Sequence, residues 1–223
     1  SIHHDLMADK KSKLGDLWAL NCMSAMFEPQ ILMDLSEHGM FIAQLYGSTE
    51  TTGGGLINFA EDAKHIGAIG KPDGHCEIKL DNGEICMRGG DVMLGYYKDP
   101  KGTAEVIDAE GWFHTGDLAR VDEDGYYFLT GRKKNVIILD SGENVSPEEL
   151  EGLLEKCPAV KECLVKEKGK KICAVVCCEE ADQQTVRDFI TETNRTLPLY
   201  KRMSAVEFSA QPLPRNAMGK LMR

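Results

Sequence analysis

Gly131–Glu151 reads GRKKNVIILDSGENVSPEELE, and the pattern of the chain changes across it. Val136–Leu139 is a run of β-branched and apolar residues that predicts a strand. Asp140-Ser141-Gly142-Glu143-Asn144 follows with turn chemistry. Ser146-Pro147-Glu148-Glu149 then predicts a helix start: Ser146 is a natural cap, Pro147 has no amide donor to leave unpaired, and Glu149 can complete a capping box. Leu150, Leu153, Leu154 and Cys157 recur at helical spacing, and Pro158 closes the run.

Downstream, Val160–Val165 and Ile172–Cys178 predict two strands. Val186, Phe189, Ile190 and Leu197 predict a second helix, and Ala205–Phe208 a last short strand. The order β-α-β-β-α-β implies a small two-layer α+β domain over residues 131–223, with both helices on one sheet face. Its boundary falls at 130–135, where Gly131 and the basic Arg132-Lys133-Lys134 could form a hinge.

Upstream, residues 1–130 read as part of a second α/β region containing antiparallel hairpins. Cys76, Ile78 and Leu80 alternate before Asp81-Asn82-Gly83, and Ile85 and Met87 alternate after it, as in a hairpin closed by a primed turn. A further hairpin runs from Leu118–Val121 through Asp124-Gly125 to Tyr126–Leu129. Ile31, Leu32 and Leu35 have helical spacing, Phe41–Tyr46 predicts a strand, and Gly47 and Gly53–Gly55 mark loops. No internal repeat is evident.

With 223 residues, 42% hydrophobic and 28% charged, the chain has the composition of a folded globular protein rather than a disordered one. Its formal charge of −10 divides as −12 over residues 1–130 (10 Lys and Arg against 22 Asp and Glu) and +2 over residues 131–223 (16 against 14). That distribution is a poor nucleic-acid surface, although a few cations could still face one bound polyphosphate. No apolar run is long enough to span a membrane. The eight cysteines match neither a paired CxxC metal site nor a compact disulfide scaffold, so reduced, buried thiols and a cytoplasmic location are expected.

Four short segments carry chemistry together: Tyr46-Gly47-Ser48-Thr49-Glu50; Gly111-Trp112-Phe113-His114-Thr115-Gly116-Asp117; Gly131-Arg132-Lys133-Lys134; and Pro212-Leu213-Pro214-Arg215-Asn216-Ala217-Met218-Gly219-Lys220. In that order they resemble the adenylate-forming superfamily, which includes acyl-CoA synthetases, peptide-synthetase adenylation domains and luciferases. Gly131–Glu151 is most similar to an acyl-CoA synthetase. The resemblance implies the C-terminal section of a large AMP-binding domain at 1–130 and the small mobile domain at 131–223. It also implies ATP-dependent formation of an acyl-adenylate with pyrophosphate release, then acyl transfer to CoA. Transfer to a carrier protein is the enzymatic alternative, and a non-catalytic nucleotide-binding or interaction module is the other.

On this resemblance, Tyr46, Gly47, Ser48 and Thr49 contact the nucleotide, Thr49 reaching a phosphoryl oxygen, and Glu50 helps hold Mg²⁺, a hard cation suited to carboxylate and phosphate oxygens. Asp117 receives the ribose hydroxyls and Arg132 helps place the nucleotide. Lys134 is the hinge, Gly142 borders the thiol tunnel for CoA, and Lys220 supplies catalytic charge near the substrate carboxylate and α-phosphate. Taken singly, each has a plainer reading: YGSTE as a strand-to-loop transition, Asp117 as a turn acceptor, Gly142 as a tight turn, and the three cations as surface charge. His114 reads as structural or peripheral, because nothing pairs it with a nucleophile and the six scattered histidines offer no metal-ligand cluster.

The superfamily's Ser/Thr/Gly-rich phosphate loop, and most of its acyl-binding body, have no counterpart in the sequence. Asn21-Cys22-Met23-Ser24-Ala25-Met26 also departs from the usual glycine-containing adenine loop. The expectation is therefore a section of an acyl-CoA synthetase, its missing N-terminal body supplied by a longer protein or by another chain, and no full activity from residues 1–223 alone. The partners implied are a small carboxylic acid, ATP and CoA.

Overall fold

The computed structural model describes residues 19–23, 29–59, 62, 64–215, 221 and 222. It divides into two compact units, Ser1–Leu129 and Thr130–Arg223.

In the first unit, β1 (Ala19–Met23), α1 (Pro29–Glu37), β2 (Phe41–Tyr46), β3 (Leu56–Asn58) and β4 (Lys71–Pro72) come first. The strands form a sheet in the order β1-β2-β3-β4. β1 and β2 are parallel, whereas β2/β3 and β3/β4 are antiparallel. The predicted spacing of α1 holds: Leu32 and Leu35 are buried, packing against Ile66 and Met40 respectively.

A second sheet, in the order β5-β6-β7-β8, contains β5 (Cys76–Asp81), β6 (Glu84–Gly89), β7 (Phe113–Val121) and β8 (Tyr127–Arg132). The β5/β6 hairpin turns at Asn82 (φ 49°) and Gly83 (φ 84°), the left-handed pair that a primed turn requires. Gly70 bridges Tyr127 between the two sheets. Leu56, Ile69, Cys76, Ile85, Met87, Ala119 and Tyr127 form one buried cluster, with Tyr46 packed on its edge. This shared core fixes the end of β2 relative to β7.

Two features of this unit differ from expectation. β7 starts at Phe113 rather than Leu118, so the His114–Asp117 segment lies within a strand. A short helix, α2 (Pro100–Val106), was not foreseen. Asp99 caps it by accepting a hydrogen bond from the Gly102 amide at 2.8 Å, and Pro100 begins it as proline can.

The second unit has β9 (Ile137–Ile138), β10 (Asn144–Val145), α3 (Pro147–Leu154), β11 (Glu162–Lys168), β12 (Lys171–Cys177), α4 (Gln183–Thr196) and β13 (Ala205–Ser209). β11-β12-β13 make the main sheet, antiparallel and then parallel. Leu150 and Leu154 of α3 and Val186 and Ile190 of α4 share a core with Val165, Ala174 and Val176. The helices thus cover one sheet face, as the pattern predicts.

The stretch Val136–Leu139 contributes only the two residues of β9, which pair with β10 apart from the main sheet. A single turn at Lys133–Asn135 precedes it. The expected capping box is not formed. Ser146 makes no side-chain cap to α3; its hydroxyl instead donates to the Thr130 carbonyl at 2.5 Å. Glu149 binds Lys201 at 2.7 Å. A tertiary acceptor and a nearby ammonium outcompete the local cap, which is worth about 1 kcal/mol.

The other face of the β11–β13 sheet is covered by the tail. Leu213 is buried with Leu164 and Cys177, and Leu221 packs against them. Arg215 and Leu221 pair in an antiparallel bridge. Glu162 accepts from the Leu213 amide at 2.7 Å and pairs with Arg215 at 2.6 Å.

Candidate nucleotide site

The backbone after β2 turns through a tight loop. Thr49–Thr51 form a single 3-10 turn. Buried Thr51 organises it: its hydroxyl oxygen accepts from the Ser48 amide at 2.9 Å, and the hydroxyl donates to the Gly54 carbonyl at 2.8 Å. The Gly53 amide donates back to the Ser48 carbonyl at 2.8 Å. A Cβ on Gly47 would lie 2.6 Å from the Gly53 carbonyl, so the residue must be glycine for the loop to close. Thr49 is exposed and Glu50 half-buried on this turn.

Glu50 is held from two directions. The Met93 amide donates to its carbonyl at 2.7 Å, and the Tyr96 hydroxyl donates to its carboxylate at 2.9 Å. Burial alone would raise the carboxyl, but its own backbone amide and neighbouring hydroxyls, Tyr96 among them, hold it below the ordinary value. The group is ionised at neutral pH, as a ligand for a hard cation must be.

Asp117 is presented by an irregularity in β7. Cys86 faces His114 and Glu84 faces Leu118, so Thr115, Gly116 and Asp117 oppose the single residue Ile85. Thr115 donates to the Ile85 carbonyl at 2.9 Å and accepts from the Asp117 amide at 3.1 Å. Gly116, at φ 73°, sends its amide to the buried Glu84 carboxylate at 3.0 Å. Bulges of this kind re-aim side chains beside functional sites. Here the result is Asp117, buried, accepting a hydrogen bond from the Tyr46 hydroxyl at 2.8 Å.

The structure therefore brings Tyr46 and Asp117 together and places Gly47, Ser48, Thr49 and Glu50 on the loop leaving Tyr46. In the second unit, Arg132 ends β8 and Lys134 lies in the following turn, both exposed. Gly142 is exposed between β9 and β10 at φ 92°, its amide bonded to the Leu139 carbonyl at 2.8 Å. Lys220 lies outside the described residues, as do Ser24–Met26 of the departing adenine segment.

Sequence reasoning missed Thr51, Glu84 and Tyr96. Thr51 is the third polar residue of a Thr-rich run. Glu84 directly follows the Asn-Gly turn, where a glutamate ordinarily faces water. Tyr96 lies far along the chain from its partner, so no local spacing announces it.

The AMP-binding enzyme family profile matches residues 1–97, and the profile of the AMP-binding enzyme C-terminal domain matches residues 134–223. A long-chain-fatty-acid–CoA ligase of Mycobacterium bovis is 42% identical over 128 residues, covering 57% of this chain and 21% of the ligase. A feruloyl-CoA synthase of an Amycolatopsis species is 32% identical over 96% of this chain and 46% of the synthase. Among solved structures, the O-succinylbenzoate coenzyme A synthetase of Bacillus subtilis, in complex with ATP and magnesium ion, superposes with a TM-score of 0.78 at 29% identity. The match covers 91% of this chain and 45% of that one. The chain thus spans less than half the length of these relatives.

Proposed function

We propose, since this chain belongs to the family of AMP-binding enzymes, that it is the nucleotide-edge and lysine-bearing section of an acyl-CoA synthetase. The whole protein would join a carboxylic acid to ATP as an acyl-adenylate, release pyrophosphate, and transfer the acyl group to CoA. The observation that carries this reading is the 2.8 Å contact between Tyr46 and Asp117, which joins two motif segments distant in sequence at one buried carboxylate.

The residue roles are those that the family resemblance implies, and the chemistry of each side chain suits them. Asp117, an acceptor fixed in place by Tyr46, receives the ribose hydroxyls. The Tyr46 ring and the Gly47–Ser48 backbone border the adenine, and the exposed Thr49 hydroxyl donates to a phosphoryl oxygen. Glu50, ionised and held by Tyr96, fits a magnesium ion. That ion, when bound, would neutralise phosphate charge and orient the triphosphate. Arg132 adds a fork of donors for the nucleotide. Lys220 supplies positive charge to the carboxylate and α-phosphate oxygens during adenylation. Lys134 is the pivot between the half-reactions, and Gly142 gives the thiol arm of CoA a side-chain-free approach. The buried free thiols fit a reducing cytoplasmic setting.

The test is acid-dependent exchange of pyrophosphate into ATP by the complete protein, followed by thioester assays with CoA and with a carrier protein. Exchange with one or more acids and thioester formation on CoA are expected. A folded, ATP-binding protein with no exchange across a broad acid panel would refute the enzymatic reading. Transfer to a carrier protein alone would replace CoA as the acceptor.

A further inference from the structure

The face of β6 turned away from the core carries a cluster that the nucleotide site does not use. Ile85 and Met87 point into the core, so Cys86 between them points outward. It pairs with His114 in the β6/β7 register. Cys86 has no exposed surface, and its Sγ lies 3.4 Å from His114 Nδ1. At the end of β5, Asp81 adds a carboxylate, and the three ligand atoms all lie within 4.8 Å of one another. Glu84 Oε2 is 3.2 Å from the same Nδ1. On the far side of the ring, Asp108 Oδ2 is 3.5 Å from Nε2.

A nucleophilic thiol is the obvious reading of cysteine beside histidine, and it fails. Burial first, and then the Glu84 and Asp81 carboxylates, push the Cys86 thiol up to about 11. A buried thiol held protonated by neighbouring acids is a poor nucleophile. The same surroundings suit a cation, which would convert the thiol to a thiolate and release its proton to solvent. Lys79, opposite Cys86 across β5/β6, also faces the cluster, and its ammonium sits 4.1 Å from the centre of the Trp112 ring.

We propose that Cys86, His114 and Asp81 form a binding site for a zinc-like divalent ion, with Sγ, Nδ1 and a carboxylate oxygen as its protein ligands. Zinc takes this ligand mixture at about 2.3 Å from sulfur and about 2.0–2.1 Å from nitrogen. At a tetrahedral angle those bonds set sulfur and nitrogen about 3.5 Å apart, against the 3.4 Å observed. Metallation of Nδ1 leaves the proton on Nε2, where Asp108 can accept it, as metal-bound imidazoles usually require. Glu84 borders the remaining side. Half-exposed His114 and exposed Asp81 open an entry path from solvent. A bound ion would tie β5, β6 and β7 together immediately before the bulge that presents Asp117.

Titration of the metal-free chain with cobalt(II), and then zinc(II), tests this directly. One ion per chain is expected, with a near-ultraviolet sulfur-to-cobalt band that zinc abolishes, and a melting temperature that rises with zinc concentration. Cys86→Ser and His114→Gln should each lower the affinity at least tenfold. Asp81→Asn, at an exposed position, keeps an oxygen to accept the 3.0 Å hydrogen bond from the Asn82 side chain, and should weaken binding without changing the metal-free melting temperature. Cys163→Ser should leave binding unchanged. Absence of the sulfur band, or zinc affinity unaffected by Asp81→Asn and Cys86→Ser together, would overturn the proposal.

Discussion

The first unit holds its motif residues by polar geometry, whereas the second holds them by what lies beneath. Around Tyr46 and Asp117, position is set by a looped-back backbone, a strand bulge and buried acceptors such as Thr51 and Glu84. In the second unit, Arg132, Lys134 and Gly142 are exposed on turns, and order comes from apolar packing on both sheet faces. The contrast suits a division of labour. On the proposed function, a preorganised edge would receive the nucleotide, and a firmly cored body would carry exposed groups that must meet different surroundings.

The largest expected effect that could break this contrast is at Leu213. It anchors the tail to the sheet face opposite the helices, so Leu213→Ala should destabilise the second unit by about 2–5 kcal/mol, measured by urea denaturation. A loss below about 0.5 kcal/mol, the range of ordinary surface changes, would show that the tail is merely appended.

Asp117 comes next. In the complete protein, Asp117→Asn should weaken AMP binding by about tenfold to a hundredfold, since hydrogen bonds to a charged acceptor contribute about 1.5–3 kcal/mol. Tyr46→Phe should cost about fivefold, in keeping with a lost positioning bond of about 1 kcal/mol. Calorimetric titration separates the two, and equal losses would mean that Tyr46 does more than hold Asp117.

The smallest effect is a pH response in the tail. The Arg215 guanidinium, followed by the Leu213 amide, holds Glu162 below its ordinary value. A carboxyl depressed in the folded state stabilises it at neutral pH, and that contribution is lost as pH falls below the ordinary glutamate value through the folded one. Amide exchange at Leu213 should therefore accelerate on acidification before the β11/β12 pairing opens, and Glu162→Gln should abolish that step. Simultaneous opening of tail and sheet at every pH would sharpen the picture toward a single cooperative unit.

Much of the fold was legible where the signal was local. Asn82-Gly83 announced its hairpin because few residue pairs tolerate that backbone, and Leu150 and Leu154 announced α3 by their spacing. The failures share a physical cause. Ser146 was expected to cap a helix, but its acceptor is the Thr130 carbonyl, a tertiary partner that no local pattern reveals. Val136–Leu139 looked like a full strand, yet only Ile137 and Ile138 find a paired edge. The motif residues proposed for the site are marked in the sequence by their resemblance. Their support is not: Glu84 is buried where a β7 bulge turns the Gly116 amide toward it, and Tyr96 meets Glu50 only after the chain folds. The same holds for the outward face of β6, where Cys86 and His114 meet through strand register.

The proposed function separates a nucleotide-holding edge from a lysine-delivering body, and Lys220→Ala in the complete protein tests that separation most directly. Adenylate formation, followed by pyrophosphate exchange, should fall by about a hundredfold or more, as expected when a charge that stabilises the transition state is removed. AMP affinity and thioester formation from preformed acyl-adenylate should retain most of their wild-type values. Undiminished exchange, or equal losses in both half-reactions, would contradict the account.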